Sequence, residues 1–201
     1  AKVPEDQKVM ALFAGWKEGD GYRDVTRIPL ENVSNGMVEV QGDALLAVTL
    51  DIHNITRYFC PECCTRGYVD VMDTKVTKAF IEHTYETYKK ELGEDFGKTM
   101  PGFFTDEPNY HDRDWRAHIL RRPWTEALPG LYEKINGRNL ENDFPALFFD
   151  VGDYMKIRHD YYAAITKLFV ESFTKELYDW CEENGCQLTG HFIVEEDLRG
   201  T

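Results

Sequence analysis

Strand-like runs that alternate with helix-like segments constrain the fold of this chain more than any other feature of its sequence. After residue 66, apolar runs at 67–72, 100–105 and 186–191 are separated by segments long enough to form helices. Such alternation is typical of parallel β/α units, because each helix returns the chain to the same end of the sheet. The sequence therefore predicts an α/β fold with parallel strands in this part of the chain.

Two of the intervening segments have the apolar period of amphipathic helices. The first covers 74–92, with Asp73 as its N-cap and Gly93 at its end. Its predicted buried face consists of Val76, Phe80, Thr84, Tyr88 and Leu92. The second covers 153–183. Its apolar stripe consists of Ile157, Tyr161, Ile165, Leu168, Phe173, Leu177 and Trp180.

Residues 1–52 differ from the rest, because short apolar runs are divided there by turn residues. The strongest turn signal is Asn35-Gly36, a pair that favours two-residue hairpins. The predicted strands lie at 9–14, 25–30, 37–40 and 44–50. They would form a small antiparallel sheet that precedes the main fold or is inserted into it. The predicted organisation is a β-rich segment at 1–52 and a β/α portion at 53–201.

Composition and charge narrow the classes of function. The 201 residues are 42% hydrophobic and 29% charged, which is typical of a globular protein. A formal net charge of -13 disfavours nucleic-acid and anionic-membrane partners and favours a neutral or cationic small substrate. No run approaches the roughly 18 apolar residues of a membrane span. The N-terminus has no apolar signal core, so cytoplasmic location and export by a signal outside these residues both stay open, as does the oligomeric state.

An acidic pair, Asp106-Glu107, ends the apolar run at 100–105, and Pro108 then interrupts regular strand pairing. Catalytic groups of β/α folds lie at the carboxyl ends of strands, so this pair is a candidate catalytic site. The alternative interpretation is that Asp106 caps a turn and Glu107 is solvated.

At 109–150 the chain is predicted to be loop and short helix, and its aromatic residues Tyr110, Trp115 and Trp124 are candidates for stacking on a sugar.

A second acidic pair, Glu195-Glu196, follows the last apolar run and would open onto the same end of the sheet. Two carboxylates that flank a sugar can act as a general acid and as a base or nucleophile. The alternative is that this pair forms the acidic first turn of a helix. His191, at the end of the run, is a candidate for binding a hydroxyl group, a metal ion or a developing charge, or is a satisfied loop residue.

Cysteine spacing gives a further candidate, a structural zinc site. Cys60, Cys63 and Cys64 are spaced like zinc ligands, and Cys181 with Cys186 would complete a set of four. The alternative is ordinary thiols or one disulfide, and we favour it because the last two cysteines do not form a regular zinc knuckle. We therefore expect no resident metal or cofactor, with a divalent cation as the alternative.

Several motifs occur in an order that resembles the (β/α)8-barrel part of large bacterial glycoside hydrolases, similar to the family 106 α-L-rhamnosidases. The motifs in chain order are VDVMD at 69–73, Tyr85 with Tyr88, Phe96-Gly97, FFTDEP at 103–108, Trp124-Thr125, PALF at 145–148, Arg158 with Asp160-Tyr161, Phe169 with Glu171-Ser172-Phe173, Trp180-Cys181 and LTGH at 188–191. The resemblance covers roughly 44–198, and its most specific parts are TDEP at 105–108 and TGH at 189–191.

This resemblance implies a partial or complete TIM-type barrel and glycoside hydrolysis, with Glu107 as the catalytic acid. Asp106 would orient that acid or bind sugar, and His191 with the Glu195-Glu196 pair would line the same cleft. A whole barrel needs about 250 residues. The resemblance therefore also implies a piece of a longer enzyme, whose second catalytic carboxylate could follow Thr201.

Two other hypotheses remain open on the sequence. In the first, the chain belongs to a metal-dependent barrel enzyme, and Glu107, His191 and one residue of the second acidic pair ligate a divalent cation. In the second, it is a non-catalytic carbohydrate-binding module that uses its exposed aromatic rings as stacking surfaces. The hydrolase hypothesis requires the side chain of Glu107 to point into an open cleft that it shares with the segment at about 191–196.

Overall fold

The computed structural model of the chain describes residues 1–50, 69–108, 110 and 121–192. The chain divides into two compact units, which are described separately below. The first combines Ala1–Tyr68 with Pro129–Ala164, and the second combines Val69–Leu128 with Ile165–Thr201. The predicted boundary between residues 52 and 53 lies outside the described residues.

An antiparallel sheet of three strands forms the first unit's core. The strands are β1 (Lys8–Glu18), β2 (Gly21–Ile28) and β3 (Ala44–Leu50), in the order β2-β1-β3. The central strand is buried on both faces where it is most apolar, since consecutive residues from Ala11 to Ala14 are all buried. Its side chains pack in a cluster made of Val3, Leu12, Ala14, Ile28 and Val38.

The predicted turn at Asn35-Gly36 is confirmed. Ser34 and Met37 exchange two backbone hydrogen bonds of 2.9 Å, and both central residues have positive φ, as a type I′ turn requires. The predicted strand at 37–40 is wrong, because only Met37 forms isolated bridges. Beside it, Val38 N–H donates to Ala1 O and Val3 N–H donates to Gly36 O, both at 2.9 Å, so pairing here is confined to an isolated bridge.

Besides a 3-10 turn at Leu30–Asn32, three α-helices of the described residues contribute to the first unit. They are α3 (Leu128–Asn136), α4 (Leu140–Phe148) and the N-terminal part of α5 (Tyr154–Phe169). The Asn139 side chain caps α4 by accepting a hydrogen bond from the main chain of Asn142. Arg27 on β2 is held to this helix, since its guanidinium donates to Asn142 Oδ1 at 2.6 Å and also to the Glu141 carboxylate.

Two long helices contribute residues to the second unit, and each is interrupted by a single π-helical segment. The first helix runs through α1 (Thr74–Phe80), a π segment at Ile81–Tyr85 and α2 (Glu86–Leu92). The second continues from α5 through a π segment at Val170–Thr174 into α6 (Lys175–Glu183). Both predicted helices are therefore confirmed in position, with one insertion in each that the periodicity did not predict.

Parallel strands β4 (Gly102–Asp106) and β5 (Gln187–His191) complete the second unit. The predicted strand at 67–72 is wrong for its described part, because residues 69–72 pair with no strand and Asp73 N–H donates to Asp70 O in a turn. There the Asp70 carboxylate accepts from Met72 N–H at 2.9 Å, which closes the chain into the start of α1. A barrel stays a prediction, since the described residues contain one parallel strand pair.

The buried face of the first long helix differs from the predicted one. Thr77, Ile81 and Tyr85 are buried, whereas Phe80, Tyr88 and Leu92 of the predicted face are exposed. Both sets of residues have the spacing of one helix face. The buried set begins with the polar Thr77, so a search for apolar residues at helical spacing selects the exposed set instead. The face is decided by Tyr85, whose ring stacks on Phe103 of β4 at 4.2 Å between centroids.

Candidate functional site

The candidate site lies where β4 and β5 end side by side. Their register pairs Gly102 with Gln187 and continues residue by residue until Asp106 lies opposite His191. Because the strands are parallel, both carboxyl ends meet at the same edge of the sheet. The acidic pair at 106–107 and the histidine at 191 are therefore brought together, as the sequence predicts.

One face of this strand pair is covered by helices of the same unit. Phe103 is buried there among aromatic rings, stacked on Tyr85 and edge-on to Trp180 at 5.6 Å between centroids. The Trp180 indole N–H also donates to Glu86 at 2.7 Å, which fixes the ring. This side of the sheet is therefore a packed aromatic core, and the functional side chains belong to the other side.

On the opposite face of the strand pair, most of the described side chains are exposed. Side chains alternate along a strand, so Phe104 and Asp106 share this face with their partners Thr189 and His191. Phe104 is 61% exposed, although it follows the buried Phe103 directly. Its ring meets the imidazole of His191 edge-on, with centroids 5.7 Å apart.

Asp106 and His191 form the polar pair of the site. Oδ1 of Asp106 lies 3.1 Å from Nε2 of His191, and the two side chains are 76% and 38% exposed. The carboxylate orients the imidazole through Nε2, so Nδ1 stays available to a bound molecule. An exposed pair of this kind contributes little to stability, which leaves positioning as its main physical effect.

Gly190 allows the two strands to approach this closely. It has φ +148, and a Cβ atom added there would lie 2.1 Å from the main-chain oxygen of Thr105. Gly102 has the same role at the other end of the pair, where an added Cβ would lie 2.1 Å from Gln187 O. A glycine inside a strand commonly marks such a close backbone approach.

Glu107 terminates the ladder in an unusual conformation. Its N–H donates to His191 O at 3.1 Å, and its φ of +46 lies in the left-handed region, which residues other than glycine rarely adopt. The side chain is half-buried and the following Pro108 is buried. Non-glycine residues held in this region are enriched at functional sites, which is consistent with the role predicted for Glu107.

The remaining predicted site residues are distributed as follows. Tyr110 is half-buried and packs edge-on against Phe169, with centroids 5.2 Å apart. Phe169 in turn contacts Phe192, the residue after His191, so Tyr110 is linked to the site through one intervening ring. Trp124 is half-buried in the irregular segment before α3. Trp115, Glu195 and Glu196 lie outside the described residues.

Phe104 is the site residue that sequence reasoning missed. The apolar run at 100–105 does not distinguish Phe103 from Phe104, whereas the structure buries the first and exposes the second. The signal was present in the period of two along a strand, because Phe104 is two residues before Asp106 and must share its face.

The candidate zinc site is described only in part. Cys181 and Cys186 are buried free thiols, with Cys186 Sγ 3.5 Å from Cys181 O. Burial raises the pKa of the Cys181 thiol to about 12, so the thiolate that metals require is disfavoured there. Cys60, Cys63 and Cys64 lie outside the described residues. Within the described ranges, no group of three or more His, Cys, Asp or Glu residues is arranged to hold a metal ion.

A separate polar network stabilises the first unit. Arg138 Nη2 donates to Asp160 at 2.8 Å and to Tyr132 OH at 2.7 Å, while Tyr132 donates to Asp143 at 2.8 Å. Lys156 donates to the same Asp160 oxygen at 2.7 Å. Burial is the main reason that the pKa of Tyr132 rises to about 12. Each polar group here has partners within the network, so we assign it a structural role.

Burial alone would raise the pKa of Asp160, but hydrogen bonds from Lys156, His159 and Arg138 outweigh it and hold that pKa below its usual value.

Within the part of the chain that the structure describes, no helix combines the length and apolar character needed to cross a membrane. Comparison with protein-family models, with curated proteins and with solved structures finds no match to this chain.

Proposed function

We propose that this chain is the β/α portion of a glycoside hydrolase whose catalytic acid is Glu107. The observation that carries the proposal is the convergence of Asp106, Glu107 and His191 at the carboxyl ends of two adjacent parallel strands. Catalytic groups of β/α barrels occupy this position. The motifs at 105–108 and 189–191, on which the resemblance to these hydrolases rests, are the segments that meet there.

In this proposal Glu107 donates a proton to the glycosidic oxygen as the bond to the leaving group breaks. A general acid must be held in place, and the left-handed backbone with its hydrogen bond to His191 O restricts where the carboxyl group can lie. Within the described residues, no hydrogen bond or ion pair engages the Glu107 carboxyl group, which leaves it available to substrate.

The pair of Asp106 and His191 would bind hydroxyl groups of the sugar. A carboxylate accepts hydrogen bonds, and an imidazole can donate or accept, so together they can hold two neighbouring hydroxyls. The second carboxylate of the reaction is assigned to Glu195, Glu196 or a later residue. A separation of about 5 Å from Glu107 would give retention of configuration, and about 6.5–9.5 Å would give inversion.

The test is the Glu107→Gln variant of the complete protein, assayed on aryl glycosides that differ in leaving group. Loss of a general acid should lower kcat by about 10²–10⁴-fold for a phenyl glycoside. A 2,4-dinitrophenyl glycoside needs little protonation, so its turnover should fall much less. The matched control is Glu94→Gln, which changes an exposed carboxylate of the same unit. Near-normal hydrolysis of the phenyl glycoside by the Glu107 variant would refute the assignment.

A further inference from the structure

We infer that Phe169 is a positioning residue for the candidate site, because its buried ring holds residues that follow both β4 and β5. The ring contacts Tyr110, which lies shortly after Glu107, and Phe192, which lies directly after His191. Phe169 would act through the backbone of the two strand ends and would not touch substrate. The catalytic consequence rests on the proposed function, whereas the aromatic anchor made of Tyr110, Phe169 and Phe192 does not.

Phe169 is the central ring of this anchor. It is 7% exposed and meets Tyr110 and Phe192 edge-on, with centroids 5.2 Å and 5.6 Å apart. Edge-on pairs at such separations are favourable for aromatic rings. Phe173 stacks on Phe169 from within the same helix, with centroids 5.6 Å apart and ring planes inclined by 12°. Phe169 is therefore fixed by its own helix and can hold the rings of two other segments.

Phe169 also lies level with the carboxyl ends of the strands. Farther along the same helix, Trp180 packs against Phe103 near the start of β4. The helix turns directly into β5 and so runs antiparallel to the strands that it covers. It rises about 16 Å between Phe169 and Trp180. The strand rises about 13 Å from Phe103 to Glu107, so the two heights match.

The backbone of Glu107 needs a constraint of this kind. Its N–H donates to His191 O at 3.1 Å, while its φ of +46 is unfavourable for a residue with a Cβ. Such a conformation persists only where the surrounding structure determines it. Tyr110 and Phe192 hold the chain after each partner of this hydrogen bond on one shared ring. Loss of the ring should therefore release the bond before it unfolds the sheet.

The alternative role for Phe169 is that of an ordinary core side chain. Its loss would then lower global stability and speed the slowly exchanging amides of the unit by a common factor. Phe173 provides the matched control, because it lies on the same helix and is similarly buried at 9%. In the described part of the chain, its ring contacts Phe169 and neither Tyr110 nor Phe192.

The experiment is amide hydrogen exchange of the full chain, measured by NMR at Glu107 and, as a reference within the ladder, at Phe103. Phe169→Leu keeps an apolar side chain but removes two edge-on contacts, so it should speed exchange about tenfold more at Glu107 than at Phe103. Phe173→Leu should change both amides by similar factors. Tyr110→Leu should speed Glu107 exchange in the wild-type background and add little to Phe169→Leu, because the rings act as one unit.

Hydrolysis by the complete protein measures the catalytic consequence. Phe169→Leu should lower kcat for a phenyl glycoside with little change in KM, because it misplaces the acid and leaves substrate contacts in place. The loss should be smaller for a 2,4-dinitrophenyl glycoside, which needs little protonation. Phe173→Leu should keep the wild-type ratio of the two rates. An unchanged kcat on the phenyl glycoside in Phe169→Leu would overturn the positioning role.

Two exchange results would overturn the anchor itself. They are equal acceleration at Glu107 and Phe103 in Phe169→Leu, and equal acceleration at Glu107 in Phe169→Leu and Phe173→Leu. If Phe169→Leu does not fold, Phe192→Leu tests the same prediction, since it removes one ring and leaves the helix intact.

The Glu107→Gln variant separates this inference from the proposed function. Normal hydrolysis by Glu107→Gln, together with selective exchange at Glu107 in Phe169→Leu, would refute the acid assignment and leave the anchor standing. Lost hydrolysis by Glu107→Gln, together with uniform exchange in Phe169→Leu, would refute the anchor and leave the acid assignment standing.

Discussion

The main-chain N–H of Glu107 donates to the carbonyl oxygen of His191 at 3.1 Å, directly after the register pair of Asp106 and His191. It forms with Glu107 at a φ of +46, a region in which a side chain with a Cβ is strained. The backbone of the candidate acid is therefore tied to the residue that supplies the imidazole of the site.

Replacing Glu107 by glycine should relieve this strain. Glycine adopts positive φ without a Cβ clash, so we expect Glu107→Gly to be neutral or to raise the free energy of unfolding by about 0.5–1 kcal/mol. Urea denaturation followed by circular dichroism measures the change. The control is Asp106→Gly, one residue earlier within regular strand, which should lower stability by about 1 kcal/mol. A clear loss of stability in Glu107→Gly would show that its side chain contributes more than its conformation costs.

Replacing Gly190 by alanine should separate the strands. The new Cβ would lie 2.1 Å from Thr105 O, and the backbone φ of +148 is itself unfavourable for alanine. We expect a loss of about 3 kcal/mol or more in the free energy of unfolding. Gly185→Ala is the matched control, because Gly185 has positive φ with no atom within 4 Å of an added Cβ. It should lose about 1–2 kcal/mol from conformation alone. Equal losses in the two variants would contradict the close approach of the strands.

The network around Asp160 should make stability sensitive to acid. The pKa of Asp160 is lower in the folded protein than in the unfolded chain, where it is about 3.9, so the unfolded state binds its proton first. Its stabilising contribution is complete above the unfolded pKa and is lost as pH falls through the folded pKa. Asp160→Asn should therefore be less stable than wild type by about 2 kcal/mol at pH 7, with a smaller difference near pH 2.

Urea denaturation at several pH values measures that difference. Asp150→Asn is the control, because Asp150 is 67% exposed and is paired with Arg158 at 2.9 Å. An exposed pair contributes about 0–1 kcal/mol, so this variant should follow wild type closely at every pH. A constant gap between wild type and Asp160→Asn from pH 7 to pH 2 would exclude the linkage.

The sequence was sufficient to locate the strand ends that form the candidate site. The run at 100–105 and the run at 186–191 become β4 and β5, and the residues that follow them meet at one edge. These positions were predictable because each run is apolar, short and preceded by a helical segment. The pairing of Asp106 with His191 was not predictable, because it depends on register, which follows from contacts between residues far apart in sequence.

The faces of the elements were harder to predict. On the first long helix, apolar spacing selected Phe80, Tyr88 and Leu92, although Thr77, Ile81 and Tyr85 are buried. Hydrophobicity alone predicts the wrong buried face here. The true buried face includes a threonine, and the exposed face carries aromatic residues. The same limitation hid Phe104, which is apolar and nevertheless belongs to the open face.

The π segments have a consequence for how the aromatic core is assembled. In the second long helix the π segment at Val170–Thr174 lies between the buried residues Leu168 and Phe169 and the buried residues Leu177 and Trp180. One residue fewer would rotate everything after it by about 100°. Trp180 would then turn away from Phe103. The extra residue in the π segment therefore sets the rotation of the C-terminal half of the helix. In that rotation Trp180 faces β4, the strand that leads to the candidate acid.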